Sequence, residues 1–115
     1  MRNMSFMLTA KQVEDRTKTV TRRLGWWDVE PGEMIRAIEK GRGLKKGEKV
    51  RQLAEICVVY PRRERLGDIT QEDVVLEGFP DMTPDQFVKM FCKAHASKGI
   101  TGNTTVNRIE FEYVD

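Results

Sequence analysis

The sequence predicts a small α/β fold of the α+β kind: a mixed sheet curled toward a barrel and flanked by two to three short helices. Two observations predict it. Runs rich in β-branched and aromatic residues recur along the chain, at Thr17–Thr21, Met34–Glu39, Val50–Tyr60 and Ile109–Tyr113, the residue types that suit a pleated surface. Helix-start signals fall instead at Thr9, Thr70 and Thr83. Read together they give the order β-α-β-β-β-α-α-β with short connections, which a curled mixed sheet with helices at its ends satisfies best. A chain of 115 residues fits a single domain spanning 1–115, and its 39% hydrophobic residues suffice for one core.

Each element has a local reason. Phe6-Met7-Leu8 reads as a short opening strand. Thr9-Ala10-Lys11-Gln12 has capping-box spacing and opens a helix of about two turns through Val13 and Arg16. Thr17 to Thr21 is β-branched at four of five positions. Extension of that strand puts Thr17, Thr19 and Thr21 on one face and Lys18 and Val20 on the other. Glu30-Pro31-Gly32-Glu33 is a turn. Gly41 to Gly47 is a flexible basic loop, and the strand from Val50 to Tyr60 continues past Pro61 toward Leu66. Thr70 caps one helix, with Glu72 and Asp73 favourable in its first turn. Thr83-Pro84-Asp85-Gln86 opens another with cap, N1 proline and N3 glutamine in order. Ile109, Phe111 and Tyr113 alternate with Arg108, Glu110 and Glu112, the pattern of a half-buried closing strand.

Composition narrows the function classes. The longest apolar run, Ile56 to Tyr60, is far short of the roughly 20 residues of a membrane span. The first eight residues have no sustained apolar region, so no secretory signal is read there and a cytoplasmic location is expected. Two isolated cysteines, Cys57 and Cys92, and one histidine do not make a zinc ligand set. No metal, cofactor or membrane partner is expected. Net charge is only +2, yet residues 16–65 hold fourteen Lys/Arg against seven Asp/Glu, while residues 66–115 hold four against nine. The basic half clusters at Arg16/Lys18/Arg22/Arg23, Lys45/Lys46/Lys49/Arg51 and Arg62/Arg63/Arg65. Either these meet as one basic face, the footprint of a polyanion such as RNA, or they are separate solvated ends.

Lys18-Thr19-Val20-Thr21-Arg22-Arg23 is the densest chemical segment. A desolvated lysine loses basicity and becomes a usable proton acceptor, and a threonine hydroxyl needs such a partner to act as a nucleophile. Arginine offers a planar fork for a carbonyl, phosphate or base edge. An ordinary edge strand, with Lys and Arg discouraging aggregation, explains the same residues. Glu77 precedes Gly78, a left-handed cap candidate, so a carboxylate stands at a helix C-terminus where the dipole disfavours it. His95 reads as a helix-terminal surface histidine. Trp26 and Trp27 either stack on a base or flank the barrel mouth as a half-buried pair.

These segments carry a resemblance. The chain is similar to small ASCH domains of the PUA-like superfamily, whose early signature is G-x-K-x-x-E-x-R and which often carry an E-G-F segment. Lys18 and Arg23 match the signature's Lys and Arg, Glu77-Gly78-Phe79 matches the second segment, and Pro31-Gly32-Glu33 stands where the family has P-G-D. Arg16 replaces the signature glycine and Thr21 its glutamate. Small bacterial N4-acetylcytidine amidohydrolases of this family read K-T-x-T-x-R here, and Lys18, Thr19, Thr21 and Arg23 reproduce that string. Uncharacterised ASCH proteins of bacteriophages also look similar. The resemblance implies Thr21 as nucleophile, Lys18 as its activator and Glu77 as acid/base partner, all catalytic. Thr19, Arg22, Arg23, Trp26, Lys45 and Lys46 are the candidate ligand- or RNA-binding residues. Three functions compete: amide hydrolysis on an N4-acylated cytidine, RNA or nucleoside binding without turnover, and a metal-independent ribonuclease. A Lys18/Thr21/Glu77 cluster around one cavity favours the first. A basic surface extending well beyond the pocket favours the second.

Overall fold

The computed structural model describes residues 1–114. Five strands make one mixed sheet: β1 (Arg2–Ser5), β2 (Val20–Arg23), β3 (Met34–Ile38), β4 (Gln52–Arg65) and β5 (Thr105–Tyr113). Their spatial order is β1-β3-β4-β5-β2, with β1 parallel to β3 and every other pair antiparallel. Three helices accompany it: α1 (Ala10–Glu14), α2 (Gln71–Leu76) and α3 (Pro84–Ala94). The sheet curls into a half-barrel whose edges are β1 and β2, and the expected order of elements is the one observed. No helix among the described residues is long and apolar enough to cross a membrane.

The opening strand lies earlier than the sequence predicts. Met4 is buried and aligns with Ala37 of β3, and Phe6 still donates its N–H to the Ile38 carbonyl at 2.8 Å. The chain then turns through a 3-10 segment, Met7–Thr9, leaving Met7 and Leu8 exposed. That turn runs straight into α1, so the buried Thr9 hydroxyl makes no cap bond and the expected capping box is absent. The helix ends at Glu14, and Arg16 adopts φ +61° where the family signature has glycine. Arg16 makes a tight turn there, at the strain that a side chain incurs in the left-handed region.

Pro61 sits inside the longest strand without breaking it. β4 pairs with β3 only as far as Cys57, and beyond a bulge between Val58 and Tyr60 it pairs with β5 alone. Pro61 therefore lies where one side of the strand has no ladder to disrupt, the position proline tolerates. Both caps on the second half form as expected. Thr70 accepts from the Asp73 N–H, and Thr83 and Gln86 make a reciprocal capping box.

The two faces of β5 serve different clusters. Ile109 and Phe111 join Met4, Phe6, Ile35 and Ile56 inside the barrel, while Val106 joins Leu66, Val74, Phe87 and Phe91 beneath α2 and α3. Arg108 shares the Val106 face and is buried, which corrects its reading as a solvent-facing residue. The helices cover that end of the strand, and Asp73 of α2 supplies the counter-charge.

Candidate active site

The half-barrel leaves a seam between its edge strands, and a cavity of about 410 Å³ occupies it. Ser5 and Phe6 line it from the end of β1, Thr21 to Arg23 from β2, Lys18 from the segment before β2, and Glu77 and Phe79 from the end of α2. Phe87, Met90, Phe91 and His95 of α3 and its C-terminus complete the wall. Residues from both apolar clusters thus meet at one site, which combines an aromatic wall with a charged floor.

Lys18 reaches that floor because the chain before β2 is not a strand. Residues 17 and 18 donate their N–H groups to the Gln12 carbonyl at 2.9 and 3.3 Å, and Thr19 donates to Leu76 at 2.9 Å. The Tyr113 hydroxyl donates to the Lys18 carbonyl at 2.6 Å. These bonds hold the backbone irregular up to Val20, so the predicted strand alternation, with Lys18 opposite Thr21, does not apply. Both side chains enter the same cavity.

Glu77 is the C-cap of α2 and is buried. Its charge, unfavourable at a helix C-terminus, is matched by two cations. Lys18 Nζ donates to Glu77 Oε1 at 2.6 Å and to the Glu77 carbonyl at 2.8 Å, and Arg22 Nη1 donates to Oε2 at 3.1 Å. Gly78, at φ +102°, lets the chain leave the helix at once. A Cβ there would stand 2.9 Å from Gln12 Cγ. Gly78→Ala is expected to destabilise the protein by about 2 kcal/mol through strain and this clash. Urea denaturation checks it, and an unchanged midpoint would refute it.

Behind Glu77 lies an ion network. Arg22 also pairs with Glu64 and Asp73 through Nη2. Arg108 donates to Asp73 from Nε at 2.7 Å and Nη2 at 3.0 Å. Hydrogen bonds from Arg108 and Arg22 outweigh burial and hold the Asp73 carboxyl down at about 2.

The donors differ in what they have left. Both Nη groups of Arg22 are engaged by carboxylates, and its buried Nε has no partner among the described residues. Arg23 donates only Nε, to the Thr21 hydroxyl at 3.1 Å, and lies over the Phe6 ring at 4.7 Å. Its Nη groups make no hydrogen bond among the described residues, which leaves a fork for a ligand. Burial lowers Arg23 to about 10, with Glu77 opposing, so it stays cationic at neutral pH. Burial also pushes the Lys18 ammonium below the usual lysine range, again against the pull of Glu77. His95 is half-buried, stacks on Phe91 at 4.4 Å and bonds the Phe91 carbonyl through Nδ1 at 2.9 Å. A carbonyl only accepts, so Nδ1 donates a proton to it.

Not every predicted ligand residue belongs here. Lys18, Thr21, Arg22, Arg23 and Glu77 line the cavity; Thr19, Trp26, Lys45 and Lys46 do not. Thr19 braces the backbone between Leu76 and Phe111. Trp26, at φ +56°, packs on the barrel core and carries Arg2 over its ring at 4.5 Å. Lys45 and Lys46 are exposed in the Gly41–Gly47 loop. The basic clusters also fail to merge. Lys18 and Arg22 are buried, Arg51, Arg62 and Arg65 pair with carboxylates, and the length of β4 separates the Lys45 loop from Arg62–Arg65. Sequence reasoning missed the aromatic wall and the Asp73–Arg108 pair. The broad apolar stripe of α3 was the available signal for the wall, and it read equally well as core.

No family model matches the sequence, and no curated protein is detectably similar to it. Solved structures are similar in shape. The Enterococcus faecalis protein EF3133, described by the family model DUF984, superposes with a TM-score of 0.68 over 99% of this chain and 79% of its own, at 15% identity. An ASCH domain from Lactobacillus crispatus gives 0.65 over 97% of this chain and 78% of its own, at 12% identity. The fold is that of an ASCH domain. A hypothetical protein, PH0355, has a similar shape, with a TM-score of 0.65 over 98% of this chain and 96% of its own, at 14% identity. At such identities the shared property is the architecture itself.

Proposed function

We infer that this ASCH-type fold holds a nucleoside in the seam cavity and hydrolyses an N4-acyl amide of a cytidine-like base. The observation that supports the reading is the convergence of Lys18, Thr21, Arg23 and Glu77 in one cavity, although Glu77 lies more than fifty residues from the others. The volume is in the range of small-molecule sites, and the wall of Phe79, Phe87 and Phe91 offers apolar faces to a planar base.

The chemistry follows from the 2.6 Å link between Lys18 and Glu77. A seated base excludes water, and loss of solvation favours passage of one proton from the ammonium to the carboxylate. Lys18 is then an amine and Glu77 an acid. The Thr21 oxygen attacks the acyl carbon as Lys18 takes its proton, and the free Arg23 fork stabilises the oxyanion. The C–N bond breaks, Glu77 returns its proton to the leaving exocyclic amine, and Thr21 carries the acyl ester. Water attacks that ester and gives a proton to Glu77, while Lys18 reprotonates the departing Thr21 oxygen. The carboxylic acid leaves with Lys18 an amine and Glu77 an acid, and the proton then passes back from Glu77 to Lys18 to restore the ion pair.

Wild-type protein is expected to release cytidine and acetate from N4-acetylcytidine, with an acetyl increment on Thr21 in quenched samples by mass spectrometry. Arg23→Met should lower kcat by about 10²–10³, the usual effect of losing an oxyanion donor. A second reading is binding without turnover, and one observation favours it: Lys18 donates to Glu77 and makes no hydrogen bond to Thr21 among the described residues. Absence of turnover in the wild type, with RNA binding that depends on Lys18 and Arg23, would select that reading.

A further inference from the structure

A second cavity, of about 520 Å³, adjoins the first at the β1 edge and shares Ser5 and Met7 with it. Asn3, Lys40, Arg42 and Val50 complete its distinctive lining. The two differ in charge. The cations of the seam cavity face Glu77, whereas the second cavity has Lys40 and Arg42 and no acid among its lining residues. Among the described residues Lys40 has only a long contact, 3.7 Å, with Glu48. Arg42 is exposed and makes no hydrogen bond or ion pair among the described residues, so its whole fork is available. Lys45 and Lys46 extend from the same loop. A cytosine seated with its exocyclic amine at Thr21 carries its sugar on another edge of the ring, so the sugar must leave the reacting end. Ser5 and Met7 line both cavities, so the sugar end of such a ligand would cross from one to the other beside them.

We propose that the second cavity is a phosphate subsite, and that the ligand of the seam cavity is a phosphorylated nucleoside. This rests on the nucleoside reading above but not on turnover. The phosphate belongs either to a free nucleotide or to an RNA strand, and both present the same oxygens to Arg42 and Lys40.

Equilibrium binding to the full chain tests it with cytidine, cytidine 5′-monophosphate and a short oligoribonucleotide. The monophosphate is expected to bind at least about tenfold tighter than cytidine, as charge-assisted bonds to a guanidinium allow. Added salt should shrink that advantage. The double variant Lys40→Ala/Arg42→Ala should abolish it without changing cytidine affinity, and both positions lie outside the catalytic group. An oligonucleotide that binds tighter still, and loses the gain in Lys45→Ala/Lys46→Ala, assigns the phosphate to RNA. An oligonucleotide without that gain assigns it to a free nucleotide. Equal affinity for cytidine and its monophosphate overturns the subsite, as does a phosphate preference that survives the double variant. Hydrolysis of N4-acetylcytidine, assayed on the same preparations, separates the two proposals. Phosphate preference without turnover removes the hydrolase and keeps the subsite; turnover without preference does the reverse.

Discussion

Thr21→Ala is expected to lower kcat/KM for N4-acetylcytidine by at least about a thousandfold while nucleoside affinity changes little. The substitution removes the nucleophilic oxygen and no charge. Among the described residues the one side-chain bond lost is that accepted from Arg23 Nε, and Arg23 keeps its place over Phe6. Lys18→Met should be as severe for turnover, because an unactivated hydroxyl is a poor nucleophile at neutral pH. Methionine keeps the buried volume, and Arg22 continues to hold Glu77, so a circular dichroism melt distinguishes lost chemistry from lost fold. Combining the two changes should cost scarcely more than either alone, since residues that act as a unit are not additive. Full activity in Thr21→Ala would discard the covalent route while keeping the enzyme. Multiplicative losses would instead separate the roles of the two side chains.

The largest stability effect is expected at Asp73. Arg22 and Arg108 stand directly opposite each other on β2 and β5, an arrangement that repels unless an acid lies between them. Asp73 is that acid. Asp73→Ala leaves two buried guanidiniums facing each other, and breaking such a pair costs about 3–5 kcal/mol. Chemical denaturation measures it, and a loss under about 1 kcal/mol would show that Glu64 and Glu77 suffice for Arg22 and Glu110 for Arg108. The wild type should carry a matching acid signature. The Asp73 carboxyl lies at about 2 in the folded protein against an ordinary value of 3.8. Between about pH 4 and pH 2 the unfolded chain therefore binds more protons than the folded one, and stability falls as pH drops. The component is fully present above that window and should be missing from the Asp73→Ala titration.

Features that depend on neighbours along the chain were legible before any contact was known. Thr70, Thr83 and Pro84 mark their helix starts because a cap is made within three residues. The alternation of Ile109 and Phe111 marks β5 because the period of a strand is local. The segments around Lys18 and Glu77 were legible as motifs, yet their meeting was not, since it depends on a sheet that stops at β2 and a helix that ends above it. Local rules also misplaced Lys18. β-branching argued for an extended Thr17–Thr21, whereas the nearby Gln12 carbonyl and the Tyr113 hydroxyl, ninety-five residues away, hold residues 17 and 18 out of the ladder. Arg108 read as a surface charge because its counter-ion stands thirty-five residues away on α2. Which charges are buried could not be read locally, since burial of an ion is set by partners that folding brings from far along the chain.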